Sequence, residues 1–200
     1  MSIMIRILHV VSCAVMVFAV GCFRSPNSHF YALTSQHREQ IDSLSKSGVS
    51  VAVSSVGFPQ YLDDPRMIVR ANENSVDRLE YDRWAEDLQV NFMRVFVADL
   101  AGNVQSSNVF ATSVYDLRPA KYQVQLEVLQ FDVTNEGRAV LKVRWTLADS
   151  VDALKSAPMQ VSEFSLLSED SNHSASVAAL SQLIENCARV VAAAIPAARS

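Results

Sequence analysis

The residue types that most often carry metal binding or nucleophilic catalysis are sparse in this sequence and poorly spaced for either task. The histidines are at positions 9, 29, 37 and 173, and no two of them form an H-x-x-x-H pair. The cysteines are at positions 13, 22 and 187, which is too far apart for a zinc site. No G-x-S-x-G elbow, G-x-G-x-x-G loop or Walker loop is present. The sequence therefore predicts no catalytic residue, no metal site and no nucleotide site.

Asp63 and Asp64 are adjacent carboxylates of the kind that serve acid–base catalysis or calcium binding. Because Pro65 follows them, the sequence also favours a turn, and we adopt the turn as the main interpretation. Catalysis and calcium binding stay open as alternatives. Glu86 and Asp87 are a second acidic pair, and their basic neighbours are typical of a solvent-exposed helix face.

Cys22 is the residue whose surroundings predict a covalent modification. Residues 7–20 read ILHVVSCAVMVFAV after the positive charge of Arg6, which is typical of a signal peptide and shorter than the about 20 residues of a membrane span. The run ends in Ala-Val-Gly-Cys, which resembles the lipobox of bacterial lipoproteins. We predict that residues 1–21 are a lipoprotein signal peptide and that Cys22 carries diacylglyceryl and N-acyl groups. An uncleaved membrane anchor is the alternative.

The predicted acyl chains determine where the protein works. One chain gives only reversible membrane attachment, at about 0.8 kcal/mol per buried CH2, whereas two or three together are effectively permanent. Residues 22–29 would form the acylated cysteine and its tether, and no cofactor beyond these lipid groups is predicted. The net charge of −4 argues against a nucleic-acid partner, because neutralising phosphates needs a basic surface.

Residues 30–200 read as a single mixed α/β domain, because no repeat, low-complexity tract or charge block divides them. Half of the residues are hydrophobic, which is enough for a packed core. Alternation of apolar and polar residues predicts five strands, at residues 49–56, 67–70, 122–128, 141–147 and 159–167. The third and fourth strands are expected to form an antiparallel hairpin, with the fifth beside them.

Two further segments show the spacing of three and four between apolar residues that predicts an amphipathic helix. The first covers about 82–101, with Trp84 at the start of its buried stripe, and Gly102 is expected to stop it. Arg83 and Asp87, four residues apart, are expected to pair on the opposite side of this helix.

The second predicted helix covers 174–195. Its buried stripe includes Cys187, which we expect to be a small apolar side chain rather than a reactive thiol. Glu185 and Arg189 are expected to pair on the outer side. The predicted architecture is therefore α/β (α+β), a single domain in which two main helices pack on an antiparallel-rich mixed sheet, after the lipoprotein signal peptide.

The segment between the first two strands is the best candidate for a partner contact. It places Phe58, Tyr61 and Leu62 in a turn rather than in a periodic element. Apolar loop residues of this kind either pack under the domain or meet a partner, and both interpretations stay open. Phe58, Tyr61 and Leu62 are the predicted partner-binding residues.

Two motifs, P-x-Y-L-D-x-P at 59–65 and R-W-A-E-x-L at 83–88, together resemble the ABC-type transport auxiliary lipoproteins, the PqiC-like or YmbA-like family. The segment 30–35 soon after the lipobox, the later alternating strands and the alanine-rich final helix fit the same pattern. The resemblance covers nearly all of the mature chain. One departure is Asp64, which stands where the family usually has a basic residue.

The resemblance implies a non-enzymatic role. Such lipoproteins are similar to accessory parts of MCE-type systems, in which an ABC permease, its ATPase and MCE-domain proteins move lipid or other hydrophobic compounds across the envelope. It implies docking of an MCE-domain partner, a lipid anchor on the periplasmic side of a Gram-negative envelope and, as one option, a homo-oligomeric ring. An aspartate directly after the acylated cysteine would signal retention in the inner membrane, and this chain has Phe23 there. We therefore expect the outer membrane, and the inner membrane stays open as the alternative.

Two other classes of protein compete with this interpretation. A stand-alone periplasmic lipid carrier needs an enclosed apolar cavity, and an envelope enzyme needs a group of polar side chains that converge in a cleft. A surface-exposed structural lipoprotein is a third option.

Overall fold

Eight strands, two α-helices and one turn of 3-10 helix make up the described chain. The structure is a computed structural model, and it describes residues 26–37, 44, 48–112, 119–152, 156–170 and 172–196. The predicted signal peptide and Cys22 lie outside the described residues. The elements follow one another as β1 (His29–Tyr31), β2 (Val51–Gly57), β3 (Arg66–Asn72), β4 (Ser75–Trp84), α1 (Leu88–Val104), β5 (Val109–Ala111), β6 (Tyr122–Thr134), β7 (Arg138–Asp149), β8 (Ala157–Leu167) and α2 (His173–Ala194).

The long strand β6 is the centre of one mixed sheet. Along one edge it pairs antiparallel with β7, which in turn pairs antiparallel with β8. Two parallel strands share its other edge, because β2 pairs with residues 122–127 and β3 pairs with Val133 and Thr134. Strand β5 continues the sheet beyond β2, and β4 followed by β1 continues it beyond β3. The connection between β2 and β3 therefore runs alongside the middle of β6.

The predicted hairpin and its neighbouring strand are confirmed as β6, β7 and β8. From Tyr122 to Val128 buried and exposed side chains alternate, so one face of β6 enters the core. Gly137 closes the turn with a φ of 78°, a conformation that glycine adopts without strain. The two longest ladders, β6–β7 and β7–β8, are antiparallel, and the predicted fold class is confirmed.

Helix α2 confirms the second predicted helix and most of its details. Asn172 caps it by accepting a hydrogen bond from the Ala175 N–H, and Cys187 is fully buried, which raises the pKa of its thiol to about 12. The helix is long and apolar enough to cross a membrane, yet 56% of the 18-residue stretch that meets this criterion is buried in the fold, as in a core helix. The predicted outward position of Glu185 is wrong, because this side chain is buried between the helices.

The predicted start of the first helix is also wrong. Helix α1 begins at Leu88, whereas Arg83 and Trp84 end strand β4, with Trp84 beside Tyr31 of β1. The Asp87 side chain accepts a hydrogen bond from the Val90 N–H at 2.9 Å, which caps the helix at this point. Arg83 and Asp87 are therefore not paired along a helix.

Gly102 does not stop α1, contrary to the prediction. The helix continues to Val104 and ends at Gln105, which has a positive φ of 52°. A Cβ atom at position 102 would collide with the ring of His37. This glycine therefore permits a close approach of the segment that follows β1.

That segment, residues 33–37, is held by polar side chains of both helices. The Leu33 N–H donates to Asn91 of α1 at 2.7 Å, and the Thr34 N–H donates to Ser181 of α2 at 3.2 Å. Asp99 of α1 accepts from the Ser35 hydroxyl at 2.6 Å and from the N–H of residue 36 at 2.9 Å, both through Oδ1. The N-terminal segment thus bridges the two helices.

Asp99 should make the stability of the fold depend on pH. Burial is the main cause that raises the pKa of this carboxyl, Glu185 raises it further, and Ser35, the N–H of residue 36 and His37 oppose the shift. A carboxyl whose pKa is higher in the folded than in the unfolded state stabilises the fold at low pH, and this contribution is lost as the pH rises through the folded pKa. Within the described chain Asp99 Oδ2 is buried without a partner.

We expect Asp99→Asn to abolish this loss, because the amide oxygen still accepts both hydrogen bonds and carries no charge. Urea unfolding between about pH 4 and pH 8 should show that the free energy of unfolding of the variant rises relative to that of the wild type as the pH increases. Parallel stability curves for the two proteins would contradict this assignment.

Candidate functional site

A groove of about 700 Å³ brings together the two motifs singled out in the sequence. One wall is the loop 58–65 between β2 and β3, and the other is the segment 84–89 between β4 and α1. Its apolar surface comes from Phe58, Leu62, Trp84 and Leu88, and its carboxylates come from Asp63, Asp64, Glu86 and Asp87. We call this feature the motif groove.

Backbone hydrogen bonds shape the loop wall of the motif groove. The Leu62 N–H donates to the Pro59 carbonyl at 3.0 Å and the Asp63 N–H donates to the Gln60 carbonyl at 3.1 Å, which forms one turn of 3-10 helix. Leu62 is buried at 4% exposure. The turn therefore directs Leu62 into the core and leaves Asp63 in solvent.

Tyr61 and Arg70 anchor the loop to the centre of the sheet through Asp132 of β6. The Arg70 guanidinium donates to Asp132 Oδ2 at 2.9 Å from Nε and at 2.5 Å from Nη2, and the Tyr61 hydroxyl donates to the same oxygen at 3.1 Å. The Asp132 side chain is fully buried. Burial, with Asp132 nearby, raises the pKa of Tyr61 to about 12, so its hydroxyl keeps its proton at neutral pH.

Asp64 has a structural role in the turn, in agreement with the turn interpretation. Its Oδ1 accepts from the Arg66 N–H and Nε, both at 2.9 Å, and its Oδ2 accepts from Arg66 Nη2 at 2.9 Å and from Arg78 Nε at 3.0 Å. These hydrogen bonds, chiefly those from the Arg66 side chain, hold the pKa of Asp64 well below its usual range. The described residues contain no group of acids, histidines and cysteines arranged to hold a metal ion.

Direct hydrogen bonds fix the two walls relative to each other. The Trp84 N–H donates to the Pro65 carbonyl at 2.8 Å, and the Gln89 side chain donates to the Val56 carbonyl at 2.8 Å. The neighbouring Glu86 forms an ion pair with Arg94 on the outer side of α1. The motif groove is therefore built from a rigid frame, which suits recognition of a partner.

The predicted partner-binding residues occupy different depths in the groove. Phe58 is half-buried and its ring meets Phe92 edge-on, with the centroids 5.3 Å apart. Tyr61 is half-buried, and Leu62 lies in the core. A partner contact by these residues stays a prediction, and so does lipidation of Cys22, which lies outside the described residues.

Sequence reasoning missed the buried acids and the acidic character of the groove. Asp132 interrupts an apolar run between Phe131 and Val133, and that position is the available signal that the side chain needs a buried partner. Glu86 was interpreted as ordinary helix surface, whereas it lines the motif groove.

Two solved structures share this fold. A crystal structure of an uncharacterized protein matches with a TM-score of 0.68 and 15% identity over 84% of this chain and 98% of that one. Protein XCC0632 from Xanthomonas campestris matches with a TM-score of 0.61 and 15% identity over 82% of this chain and 93% of that one. At this identity the similarity shows the fold alone.

Comparison with curated proteins gives no match. The sequence model of one family, described as "ABC-type transport auxiliary lipoprotein component", matches residues 31–192. This range contains helix α1, helix α2 except its last two residues, every strand except the first residues of β1, and both walls of the motif groove. The family resemblance inferred from the two motifs is confirmed, and the chain belongs to the family of ABC-type transport auxiliary lipoprotein components.

Proposed function

We propose that this protein is the membrane-anchored docking subunit of an ABC/MCE-type system that moves lipid or other hydrophobic compounds across the cell envelope. The observation that carries the proposal is the convergence of both family-specific motifs on one groove. Membership in a family of transport components, rather than of enzymes, supports a binding role. Its partners would be an MCE-domain protein and the ABC permease and ATPase of the same system.

The chemistry of the motif groove supports docking over catalysis. The carboxylate of Asp64 accepts hydrogen bonds from two arginines, and that of Asp87 caps α1 by accepting from the Val90 N–H. Neither carboxylate is therefore available to exchange protons with a substrate. The apolar surface that remains, to which the partly buried Phe58 contributes, suits burial against a protein partner. Phe58, Tyr61 and Leu62 would contribute by contact or by supporting the contacting surface.

The packing of the core gives less support to the alternative function, a stand-alone lipid carrier, than to docking. Rings of Phe58, Phe92, Phe96 and Phe131 meet one another between α1 and the sheet, with centroids 5.3 to 6.4 Å apart. These side chains fill the interior between α1 and the sheet, whereas a carrier needs an enclosed apolar cavity.

The anchor and the assembly are parts of the same proposal. Acylation of Cys22 would hold the domain on the periplasmic side, at the outer membrane in the arrangement we favour. Strand β8 leaves one edge unpaired in the described chain and exposes Met159 and Val161. An open edge of this kind suits pairing with a second copy, which is how a homo-oligomeric ring would begin.

Affinity isolation of the full-length lipoprotein from detergent-solubilised membranes of its native host tests the docking role. Mass spectrometry should find the MCE-domain protein, permease and ATPase of one system enriched at least tenfold over an isolation from cells with the untagged protein. Enrichment of none of these subunits contradicts the proposal.

Cys22→Ala tests the anchor. We expect the mature wild type to begin at an acylated cysteine, and its mass should exceed that of the polypeptide by a diacylglyceryl and an acyl group. The variant should carry no lipid, and it should either be released into the soluble fraction or remain in the inner membrane as an uncleaved precursor. An unmodified Cys22 in the mature wild type contradicts the prediction.

A further inference from the structure

We infer that the motif groove receives a basic segment of the transport partner, in which lysine or arginine side chains flank an apolar or aromatic one. This inference rests on the docking function proposed above and adds the chemistry of the occupant. It starts from the charges in the groove, since four carboxylates line it and no lysine or arginine appears among its described lining residues.

Two of the four carboxylates are available to a partner. Asp64 and Asp87 are committed to the arginines and the helix cap described above. Asp63 is exposed, and its carboxylate has no hydrogen bond or ion pair with any other residue that the structure describes. Within the described part of the chain, the ion pair of Glu86 is with the exposed Arg94, and an exposed pair of this kind contributes little stability and exchanges readily for another cation.

The two available carboxylates lie on opposite walls of the groove. Asp63 belongs to the loop wall and Glu86 to the wall that leads into α1, with the apolar side chains of Phe58 and Trp84 also lining the groove. An occupant that places one apolar side chain in the groove and a cation toward each wall would satisfy all of these groups. Complementary charge of this kind contributes more to the choice of partner than to the affinity for it.

The same charges disfavour other occupants. Phosphate-bearing lipid headgroups and acidic peptides would be repelled by the exposed carboxylate of Asp63 and disfavoured near Glu86, because like charges in contact repel. A bound divalent cation finds no suitable group of ligands among the described residues. A basic protein segment is the occupant that the groove fits.

The test is affinity isolation with the double variant Asp63→Lys and Glu86→Lys in the full-length lipoprotein. We expect recovery of the MCE-domain protein, permease and ATPase to fall at least tenfold. The neutral variant Asp63→Asn with Glu86→Gln should give an intermediate loss, and it keeps the test decisive where the reversed charges impair folding.

The matched control is Glu73→Lys with Asp77→Lys, which makes the same change in net charge at exposed positions near the other end of β4. This control should recover the subunits as well as the wild type does. Unchanged recovery by both groove variants, or an equal loss in groove and control variants, overturns the inference and leaves the docking function intact. Recovery of no subunit by the wild type itself overturns the docking function and the inference with it.

Discussion

Replacing Arg70 by methionine should destabilise the fold by about 3–5 kcal/mol, because the buried carboxylate of Asp132 would lose its counter-ion. Asp132 is fully buried, and Arg70 supplies two of the hydrogen bonds to its Oδ2. The remaining donors, Tyr61 and Gln130, are neutral and do not compensate the charge. Urea unfolding of the purified protein measures the change in the free energy of unfolding.

Lys142→Met is the matched control for this prediction. It removes a cation from an exposed pair with Glu163, at 3.2 Å, and should cost less than about 1 kcal/mol. Adding Asp132→Leu to Arg70→Met should recover much of the lost stability, because the double variant buries no unpaired charge. An Arg70→Met protein within about 1 kcal/mol of the wild type would show that Asp132 does not depend on this arginine.

The same cluster connects the loop wall of the motif groove to the centre of the sheet. Tyr61 is in the loop wall of the motif groove and Arg70 is in β3, and both bind one oxygen of Asp132 on β6. Loss of the cluster would therefore release the loop as well as weaken the sheet. We expect Arg70→Met to impair docking in addition to stability, and Lys142→Met to leave docking unchanged.

Local periodicity predicted the elements whose side chains alternate or repeat cleanly. Strands β6 and β7 alternate along most of their length, and α2 keeps a regular buried stripe to Val191. Strand β4 was missed because its burial does not alternate, its pairing with β3 is interrupted by bulges, and only its last residue, Trp84, is buried. Trp84 lies four residues before Leu88, so a residue that ends β4 appeared to begin the helix.

The candidate site was predictable in its parts but not in its assembly. Each motif was visible in the sequence, yet their contact depends on the antiparallel pairing of β3 with β4, in which Arg66 lies opposite Arg83 and the Trp84 N–H donates to the Pro65 carbonyl. Local patterns did not reveal this contact, because the burial of β4 does not alternate. The partners of Asp132 and Asp99 could not be predicted either, since each carboxylate bonds to residues from another element of the fold.

Replacing Phe92 by alanine should cost about 3–5 kcal/mol of stability, because the cavity left in the core cannot collapse fully. Phe92 is completely buried, and its ring contacts those of Phe58, Phe96 and Phe131. Phe30→Ala is the matched control, since Phe30 is 65% exposed and its loss should cost about 0.5 kcal/mol or less. Equal effects of the two substitutions would contradict the packing inferred for this core.

A double-mutant cycle between Phe58 and Phe92 separates the ring contact from the cavity. The two rings meet at an interplanar angle of 79°, an edge-to-face geometry that contributes about 0.5–1.5 kcal/mol beyond area burial. We therefore expect the two alanine substitutions together to cost less than the sum of their separate effects by about that amount. Strict additivity would mean that the loop wall of the motif groove is not held by Phe92. A coupling in the expected range would mean that the core positions Phe58 in the loop wall of the motif groove.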